Sequence, residues 1–467
     1  MTGTRTNYNL PFVATIVGVA TIGGFIFGYD SGVINGTQTG LVKTFGLSEA
    51  GLGITVAALL PGCAVGAFAA GRLADAWGRR GVMLLAAALF VMSAFASGAA
   101  PNVTFMIVVR FMAGLGVGAA SVLCPAYISE TTPADVRGRL ATLQQIMIIT
   151  GATGAFLTNY CFALAAGAST NAFWLGFPAW RWMFWAQVIP GAIFFAALLR
   201  IPESPRFLVA RGRIAEAESV LAHLFGQGVA ATKVEEIRRS LLGERPPQFA
   251  DIVDRRTRRI RPIIWVGIGL AMFQQLFGIN VVFYYGVVLW QAVGFSEADA
   301  LRINIISGVL SVLSCVASIP LIDSIGRKPL LIFGSVMMSV ALAVIAGVFA
   351  TGAVVNGHMH LPGHGGLIAL IAANALVVIF NFSWGAGMWV ILGEMFPNQI
   401  RGAGLAIAGA ALWITNFLVS FSFPWAAKFV GLPITYSFFF ISSLLSLFFV
   451  IRCVHETRGI ELEDMVG

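Results

Sequence analysis

Charged residues are scarce in this chain. Lysine, arginine, aspartate and glutamate make up 11% of its 467 residues, whereas 58% of the residues are hydrophobic. A soluble globular domain carries about 25% charged residues. So few charges cannot cover the surface of a water-soluble particle of this size, which excludes the soluble protein classes.

Cysteines and catalytic motifs are equally sparse. The five cysteines are scattered without a CxxC spacing, so we expect small packing residues rather than a metal site or a disulfide framework. The sequence contains no HExxH, no nucleophile–base pattern and no P-loop GxxxxGK[ST]. It therefore predicts neither an enzyme nor an ATP-driven pump, and no bound metal or organic cofactor. His358, His360 and His364 share one loop and are expected to be solvated.

Long apolar blocks are what the sequence has instead. A helix needs about 20 residues to cross a bilayer. The blocks predict an all-α membrane protein with twelve spans, at 11–33, 51–73, 81–100, 104–127, 140–165, 180–200, 263–292, 302–322, 329–351, 366–393, 403–426 and 433–453.

The longest polar stretch, residues 204–261, separates the first six spans from the last six. Its apolar residues fall at helical spacing, which predicts short amphipathic helices. The expected organisation is an N-terminal half (1–203), a helical linker (204–261), a C-terminal half (262–454) and a short tail (455–467).

The basic excess, a net charge of +8, lies in short links between the blocks. The positive-inside rule explains it without a nucleic-acid partner, and it places the linker and both termini in the cytoplasm. We expect a multi-pass protein of a bacterial inner membrane, with the lipid bilayer as its partner and a monomer as its functional unit.

The two halves repeat each other. GRLADAWGRR after span two corresponds to LIDSIGRK after span eight. A glutamate followed by an Arg-Gly pair occurs after span four and again after span ten, as Glu130 with Arg137 and as Glu394 with Arg401. Many transporters are built from such repeats and bind substrate between them.

These motifs identify a family. The chain resembles the sugar porters of the major facilitator superfamily over nearly its whole length, and within them the bacterial proton–sugar symporters. The most specific motifs are PESPRFL (202–208), QQLFGIN (274–280) and the signature from Glu394 to Arg401. The family's terminal PETRG pattern reads VHETRG here, with His455 in place of proline. The resemblance implies a sugar or polyol carrier that works by alternating access.

Asp30 in span one and Arg110 in span four are candidates for proton coupling. A charge in the middle of a bilayer costs about 2.5–3.5 kcal/mol on insertion scales, so the two residues are best reconciled if they face each other. Protonation of Asp30 would then release Arg110 and shift the helix packing. A structural ion pair, or an Asp30 near the wet interface, is the alternative. The resemblance favours coupling, because proton-coupled members carry an acid at this position.

Span seven holds the main candidates for sugar binding. Amides and phenols match the neutral hydroxyls of a sugar, and this span carries Gln274, Gln275, Asn280, Tyr284 and Tyr285. Gln275 and Asn280 lie about 140° apart on a regular helix. If both reach one cavity, the helix must bend or unwind near Gly278. The alternative is that these amides hold helices together.

Further sugar contacts are expected in other spans. Gln145 matches a sugar contact of the family, and Trp389 offers an aromatic face; weaker candidates are Phe27, Trp384, Trp413 and Asn416. Packing is an equal alternative for any single tryptophan. Leu412 and Ser311 replace a glutamine and an asparagine of xylose-transporting members, which leaves hexoses, pentoses and cyclic polyols open.

The duplicated loops suggest a cytoplasmic gate. Acids and bases from both halves are expected to form salt bridges between the halves when the carrier faces outward, namely Glu130, Arg137, Glu394, Arg401, Arg79, Arg80 and Arg327. Single surface pairs are worth under about 1 kcal/mol, but several together can bias two states. The alternative is a basic fringe that only sets topology.

The leading hypothesis is a symporter that imports a monosaccharide or polyol with protons, the proton being its only coupling ion. A facilitator with the same pocket and no coupling is the nearest alternative. A transporter-like sugar sensor is less favoured, because such proteins carry long cytoplasmic tails.

Overall fold

The protein is helical almost throughout. A computed structural model describes residues 9–132, 137–243, 252–253, 258–355, 358–397 and 400–456. The helices of the first half are α1 (Leu10–Phe45), α2 (Glu49–Ala57), α3 (Leu59–Trp77), α4 (Arg79–Gly98), α5 (Val103–Thr131), α6 (Arg137–Ala166), α7 (Ala179–Ala186) and α8 (Val188–Leu198).

The second half repeats this arrangement after three short linker helices, α9 (Pro205–Ala210), α10 (Ile214–Phe225) and α11 (Gln227–Gly243). Its helices are α12 (Pro262–Leu276), α13 (Ile279–Ala292), α14 (Glu297–Ile325), α15 (Arg327–Ala350), α16 (Gly365–Phe382), α17 (Trp384–Met395), α18 (Arg401–Trp425) and α19 (Leu432–Cys453). A two-stranded hairpin, β1 (Ala353–Val355) with β2 (His358–His360), lies between α15 and α16.

The helices account for twelve membrane crossings. Eleven stretches of the described chain are long and apolar enough to cross a bilayer, and the last of them runs over 53 residues, Arg401–Cys453. A helix of that length would extend about 80 Å, more than twice the apolar thickness of a membrane. A π-helical turn at Ala426–Gly431 divides it into α18 and α19, with Gly431 at φ 95°. The expectation of twelve spans is confirmed.

The first span is longer than its apolar block predicts. Asn9 caps α1 by accepting a hydrogen bond from Phe12 N at 3.3 Å, and Gly46 ends the helix at φ 61°. The sequence predicts an end at residue 33, because polar residues follow there. The helix continues to Phe45 because Asn35 and Gln38 find hydrogen-bond partners on α13.

The linker helices define one end of the molecule. They pack through a small apolar cluster that includes Leu208, Leu221 and Val234, as their amphipathic pattern predicts. Asn9 N donates to Leu224 O at 2.9 Å and ties the start of α1 to α10. We call this end the linker end, and the opposite end, where α1 finishes and α2 begins, the far end.

Three sets of helix contacts join the halves. In the middle of the molecule α6 packs against α14, and α2 and α3 pack against α18. Toward the far end α1 packs against α13. The candidate residues of the central site lie on α1, α5, α6, α12, α13, α17 and α18, so these contacts decide which of them meet.

Candidate functional site

Asp30 and Arg110 form a buried ion pair inside the first half. Arg110 Nη1 donates to Asp30 Oδ1 at 2.8 Å and to Oδ2 at 2.9 Å, and the two side chains are 2% and 3% exposed. The structure thus brings together the acid of α1 and the base of α5. Within the described residues, Arg110 Nε has no hydrogen-bond partner, so the pair does not satisfy every donor of the guanidinium.

The pair is chemically suited to a switch. A buried ion pair is neutral as a whole, but removing the charge of one partner leaves the other uncompensated at a cost of about 3–5 kcal/mol. Protonation of Asp30 would therefore change the most favourable environment of Arg110. Because α1 and α5 carry the two groups, such a change would act on the packing of these two helices.

The amides of span seven form a chain across a break in the helix. Gln275 Nε2 donates to Gln274 Oε1 at 3.1 Å, and Asn280 Nδ2 donates to Gln275 Oε1. α12 ends at Leu276 and α13 begins at Ile279, with Gly278 between them in the left-handed region at φ 72°. This break is what the angular separation of Gln275 and Asn280 requires, and it lets both amides meet.

The two tyrosines of α13 point to different partners. The Tyr285 hydroxyl donates to Ser420 O at 2.6 Å, so a backbone carbonyl of α18 occupies it. The Tyr284 hydroxyl lies near the Asn416 amide and the Ser31 hydroxyl. Tyr284 therefore contacts both halves, whereas Tyr285 packs inside the second half.

An aromatic pair crosses between the halves near the same level. The rings of Phe27 on α1 and Trp413 on α18 lie 5.7 Å apart in an edge-on arrangement. Trp384 is placed differently. Its indole N–H donates to Leu331 O and Ser335 Oγ, both at 3.1 Å, and the side chain is fully buried. The backbone carbonyl of Trp384 accepts a hydrogen bond from Gln274 Nε2 at 3.4 Å, so Trp384 adjoins the amide chain while its indole ring packs within the second half.

Two other candidates are accessible. Trp389 on α17 is 43% exposed, and Gln145 on α6 is half-buried. Neither the described carboxylates nor the described histidines and cysteines come together in a group of three or more that would suit a metal ion.

At the linker end, charged side chains of the first half form a network of ion pairs and hydrogen bonds. Arg79 Nε contacts Glu130 at 3.1 Å, and the Ser204 hydroxyl also donates to Glu130. The carboxylate of Glu203 accepts from the backbone N–H groups of Arg79 and Arg80, at 2.9 and 3.1 Å. These N–H groups belong to the first turn of α4, where no intrahelical acceptor is available.

The second half repeats this network. Arg327 Nη2 contacts Glu394 at 3.1 Å. The carboxylate of Glu456 accepts from the N–H groups of Arg327 and Lys328, at 3.0 and 2.9 Å, in the first turn of α15. Arg401 Nε donates to Phe396 O at 3.3 Å.

The sequence predicts salt bridges between the halves for an outward-facing state, and this expectation stays a prediction. In this structure the pairs of Arg79 with Glu130 and of Arg327 with Glu394 each join helices of the same half. The side chain of Arg137 lies outside the described residues. Sequence reasoning also missed Glu203 and Glu456 as capping residues, although each lies inside a motif, PESPRFL and VHETRG.

The far end is where contacts between the halves are well defined. Glu49 on α2 forms an ion pair with Lys428 in the turn before α19. Arg302 Nε donates to Tyr160 OH at 3.0 Å, and Ser169 N donates to Glu297 Oε1 at 3.2 Å. These contacts join the two halves at the far end.

The sequence matches the family model described as "Sugar (and other) transporter" over residues 16–466. It is 45% identical over 458 residues to the glucose transport protein of Synechocystis, covering 98% of this chain and 97% of that protein. It is 35% identical over 499 residues to the D-xylose-proton symporter of Escherichia coli, with 99% and 96% covered.

The fold is similar to the inward open conformation of the xylose transporter XylE from E. coli. The TM-score is 0.82 at 34% identity, covering 97% of this chain and 99% of that structure. The repeat, the broken span seven and the family match agree with one another. The chain belongs to the sugar porter family of the major facilitator superfamily, whose members are transporters rather than enzymes.

Proposed function

We propose that this protein imports a monosaccharide or polyol together with protons, by alternating access. The observation that carries the coupling is the buried pair of Asp30 and Arg110, which has no role in closing either end of the molecule. A titratable acid in the middle of an apolar helix, held by one base, is the arrangement expected of a proton site. The coupling needs no metal and no organic cofactor.

The amide chain around Gly278 supports sugar as the substrate. Gln274, Gln275 and Asn280 offer donors and acceptors without fixed charge, as neutral hydroxyl groups require. Asn416 and Tyr284 add polar groups at the boundary of the halves, and the pair of Phe27 and Trp413 adds an apolar face. We include Gln145 and Trp389 as contacts from α6 and α17. The Tyr285 hydroxyl donates to Ser420 O, so we assign Tyr285 to the support of the site and not to direct contact with the sugar.

The names of the similar proteins support a sugar as the substrate class, but they do not identify which sugar this protein carries. One is named a glucose transport protein and another a D-xylose-proton symporter. Leu412 and Ser311, which replace a glutamine and an asparagine of xylose-transporting members, weigh against xylose itself and leave hexoses, pentoses and cyclic polyols open. A cyclic polyol uses the same neutral hydroxyl chemistry.

The orientation follows from the basic links. With the linker end in the cytoplasm, Arg79, Arg80, Arg327 and Arg401 all lie inside, as the positive-inside rule favours. Both termini then lie in the cytoplasm of a bacterial cell with the protein in its inner membrane. The far end faces outward, and the structure is an inward-facing state of a monomeric carrier.

Reconstitution of the purified protein into liposomes tests the proposal. Uptake of labelled hexoses, pentoses and inositols is measured with and without an inward proton gradient, and a pH-sensitive dye records proton movement on sugar addition. We expect accumulation of one sugar class above equilibrium and a matching proton influx. Equilibration without accumulation or proton movement would establish the uncoupled facilitator instead.

A further inference from the structure

The side chain of Asn35 on α1 forms two hydrogen bonds with the backbone of α13. Its Nδ2 donates to Phe283 O at 2.8 Å, and its Oδ1 accepts from Val287 N at 2.8 Å. These two backbone groups are four residues apart, so they are the acceptor and donor of one regular α-helical hydrogen bond. One side chain of the first half thus engages both ends of a helical bond in the second half.

The neighbouring contacts fit this amide closely. Gln38, one turn further along α1, donates to Tyr284 O, the next carbonyl of α13. Asn304 Nδ2 on α14 donates to Asn35 Oδ1 at 3.2 Å. Gly286 leaves the space, because a Cβ there would lie 2.4 Å from Asn304 Oδ1 and 3.1 Å from Asn35 Nδ2.

The geometry makes the contact selective for one arrangement of the halves. Asn35, Gln38 and Asn304 are each at most 1% exposed, so water does not replace their bonds while the helices remain packed. A rotation or withdrawal of α13 removes the donor and the acceptor of Asn35 at once. A buried amide without partners costs about 1–3 kcal/mol, and this cost is avoided only if the cavity opens to water.

We infer that Asn35 is a positioning residue of the transport cycle. It acts as a latch that holds α13 against α1 while the far end is closed. Its hydrogen bonds to α13 must break before the far end can open. This role rests on alternating access as part of the proposed function, but it depends neither on the identity of the sugar nor on proton coupling.

The latch lies between the two functional groups. Asp30 precedes Asn35 by little more than one turn of α1, and Gly278 is the break at the base of α13. A displacement of α1 that follows a change at Asp30 therefore reaches α13 through Asn35. The break allows α13 to leave while α12 stays in place.

Distance measurements between spin labels test this role. Thr44 and Ala298 are exposed residues at the far end, in opposite halves. Labels at Thr44→Cys and Ala298→Cys, in a Cys161→Ser, Cys453→Ser background, report the closure of that end by pulsed electron double resonance in nanodiscs. We expect one short distance population in this parent, and an added longer population in Asn35→Ala and in Gly286→Ala.

The matched control is Asn159→Ala. Asn159 is a fully buried amide on α6 that donates to Gly32 O at 3.0 Å, so its bond to α1 stays within the first half. We expect this variant to keep the distance distribution of the parent. The inference is overturned if Asn35→Ala or Gly286→Ala retains the parent distribution, or if Asn159→Ala shifts it equally. Should Asn35→Ala not fold, Asn35→Ser and Gly286→Ala decide by the same criteria. The measurement needs neither sugar nor a proton gradient, so its outcome is separate from that of the transport assay.

Discussion

Glu203 and Glu456 occupy equivalent places in the two halves. Each follows the last span of its half and accepts hydrogen bonds from the first two backbone N–H groups of the half's third span. The glycine before each of those helices has nearly the same conformation, with φ 85° and ψ 161° at Gly78 and φ 103° and ψ 159° at Gly326. The repeat is therefore preserved in hydrogen bonding as well as in sequence.

This equivalence predicts equal effects of substitution. Glu203→Gln and Glu456→Gln each remove the negative charge from a helix N-terminus, where a carboxylate contributes about 0.3–1 kcal/mol and up to about 2 kcal/mol when partly buried. We expect both to lower the midpoint of thermal unfolding in detergent by similar amounts. Glu235→Gln, on the exposed surface of α11, serves as the control and should leave the midpoint unchanged. A loss in one half only would contradict the equivalence.

Asp30→Asn separates coupling from transport. The amide keeps the size of the side chain but cannot bind and release a proton. We expect loss of sugar accumulation driven by a proton gradient, with exchange of labelled for unlabelled sugar retained. Both rates are measured in the same proteoliposomes, with Asp299→Asn, an exposed carboxylate at the far end, as the control. Accumulation that survives in Asp30→Asn would exclude Asp30 as the proton site.

Gln275→Ala and Asn280→Ala test the amide chain. A neutral hydrogen bond contributes about 0.5–1.5 kcal/mol, so each variant should raise the KM for sugar exchange roughly 2- to 13-fold. Because the two side chains bond each other, the double variant should show less than the product of the single effects. Gln187→Ala, at a buried amide of span six, controls for general destabilisation. An unchanged KM in both single variants would remove span seven from the sugar site.

Gly278→Ala tests the break in span seven. The left-handed conformation costs a residue with a Cβ about 1–2 kcal/mol, and this Cβ would also lie 2.6 Å from the ring of Phe439. We expect the transport rate to fall by more than the change in the midpoint of thermal unfolding accounts for. Gly294→Ala is a matched control, since Gly294 also has a positive φ of 97° but nothing within 4 Å of an added Cβ. Equal losses of transport in both variants would argue against a special role for the break.

Part of this arrangement follows from the sequence. The cost of an isolated charge in an apolar span predicts that Asp30 and Arg110 meet, and the structure places them in contact. The angular conflict between Gln275 and Asn280 predicts a break near Gly278, which is where α12 ends. Both inferences rest on local rules that hold for any helix in a membrane.

The remainder depends on how helices are rotated against one another. The apolar character of Trp384 says nothing about whether its ring faces α15 or the centre, and the partner of Glu130 is set by which helices are adjacent. The latch at Asn35 requires the register of α1 against α13, which neither helix specifies alone. Sequence patterns describe single helices well, but pairings across the molecule appear only in the folded chain.

The charge networks at the linker end each lie within one half, and this bears on whether the linker must be continuous. Arg211 Nη2 donates to Asp75 O and Ala76 O at 2.9 and 2.7 Å, which fastens the start of the linker to the first half. Glu203 and Glu456 complete their own halves without help from the other. A cut after Gly243 would break none of these hydrogen bonds, so we expect each of two separately made fragments to keep its own half of the linker end in place.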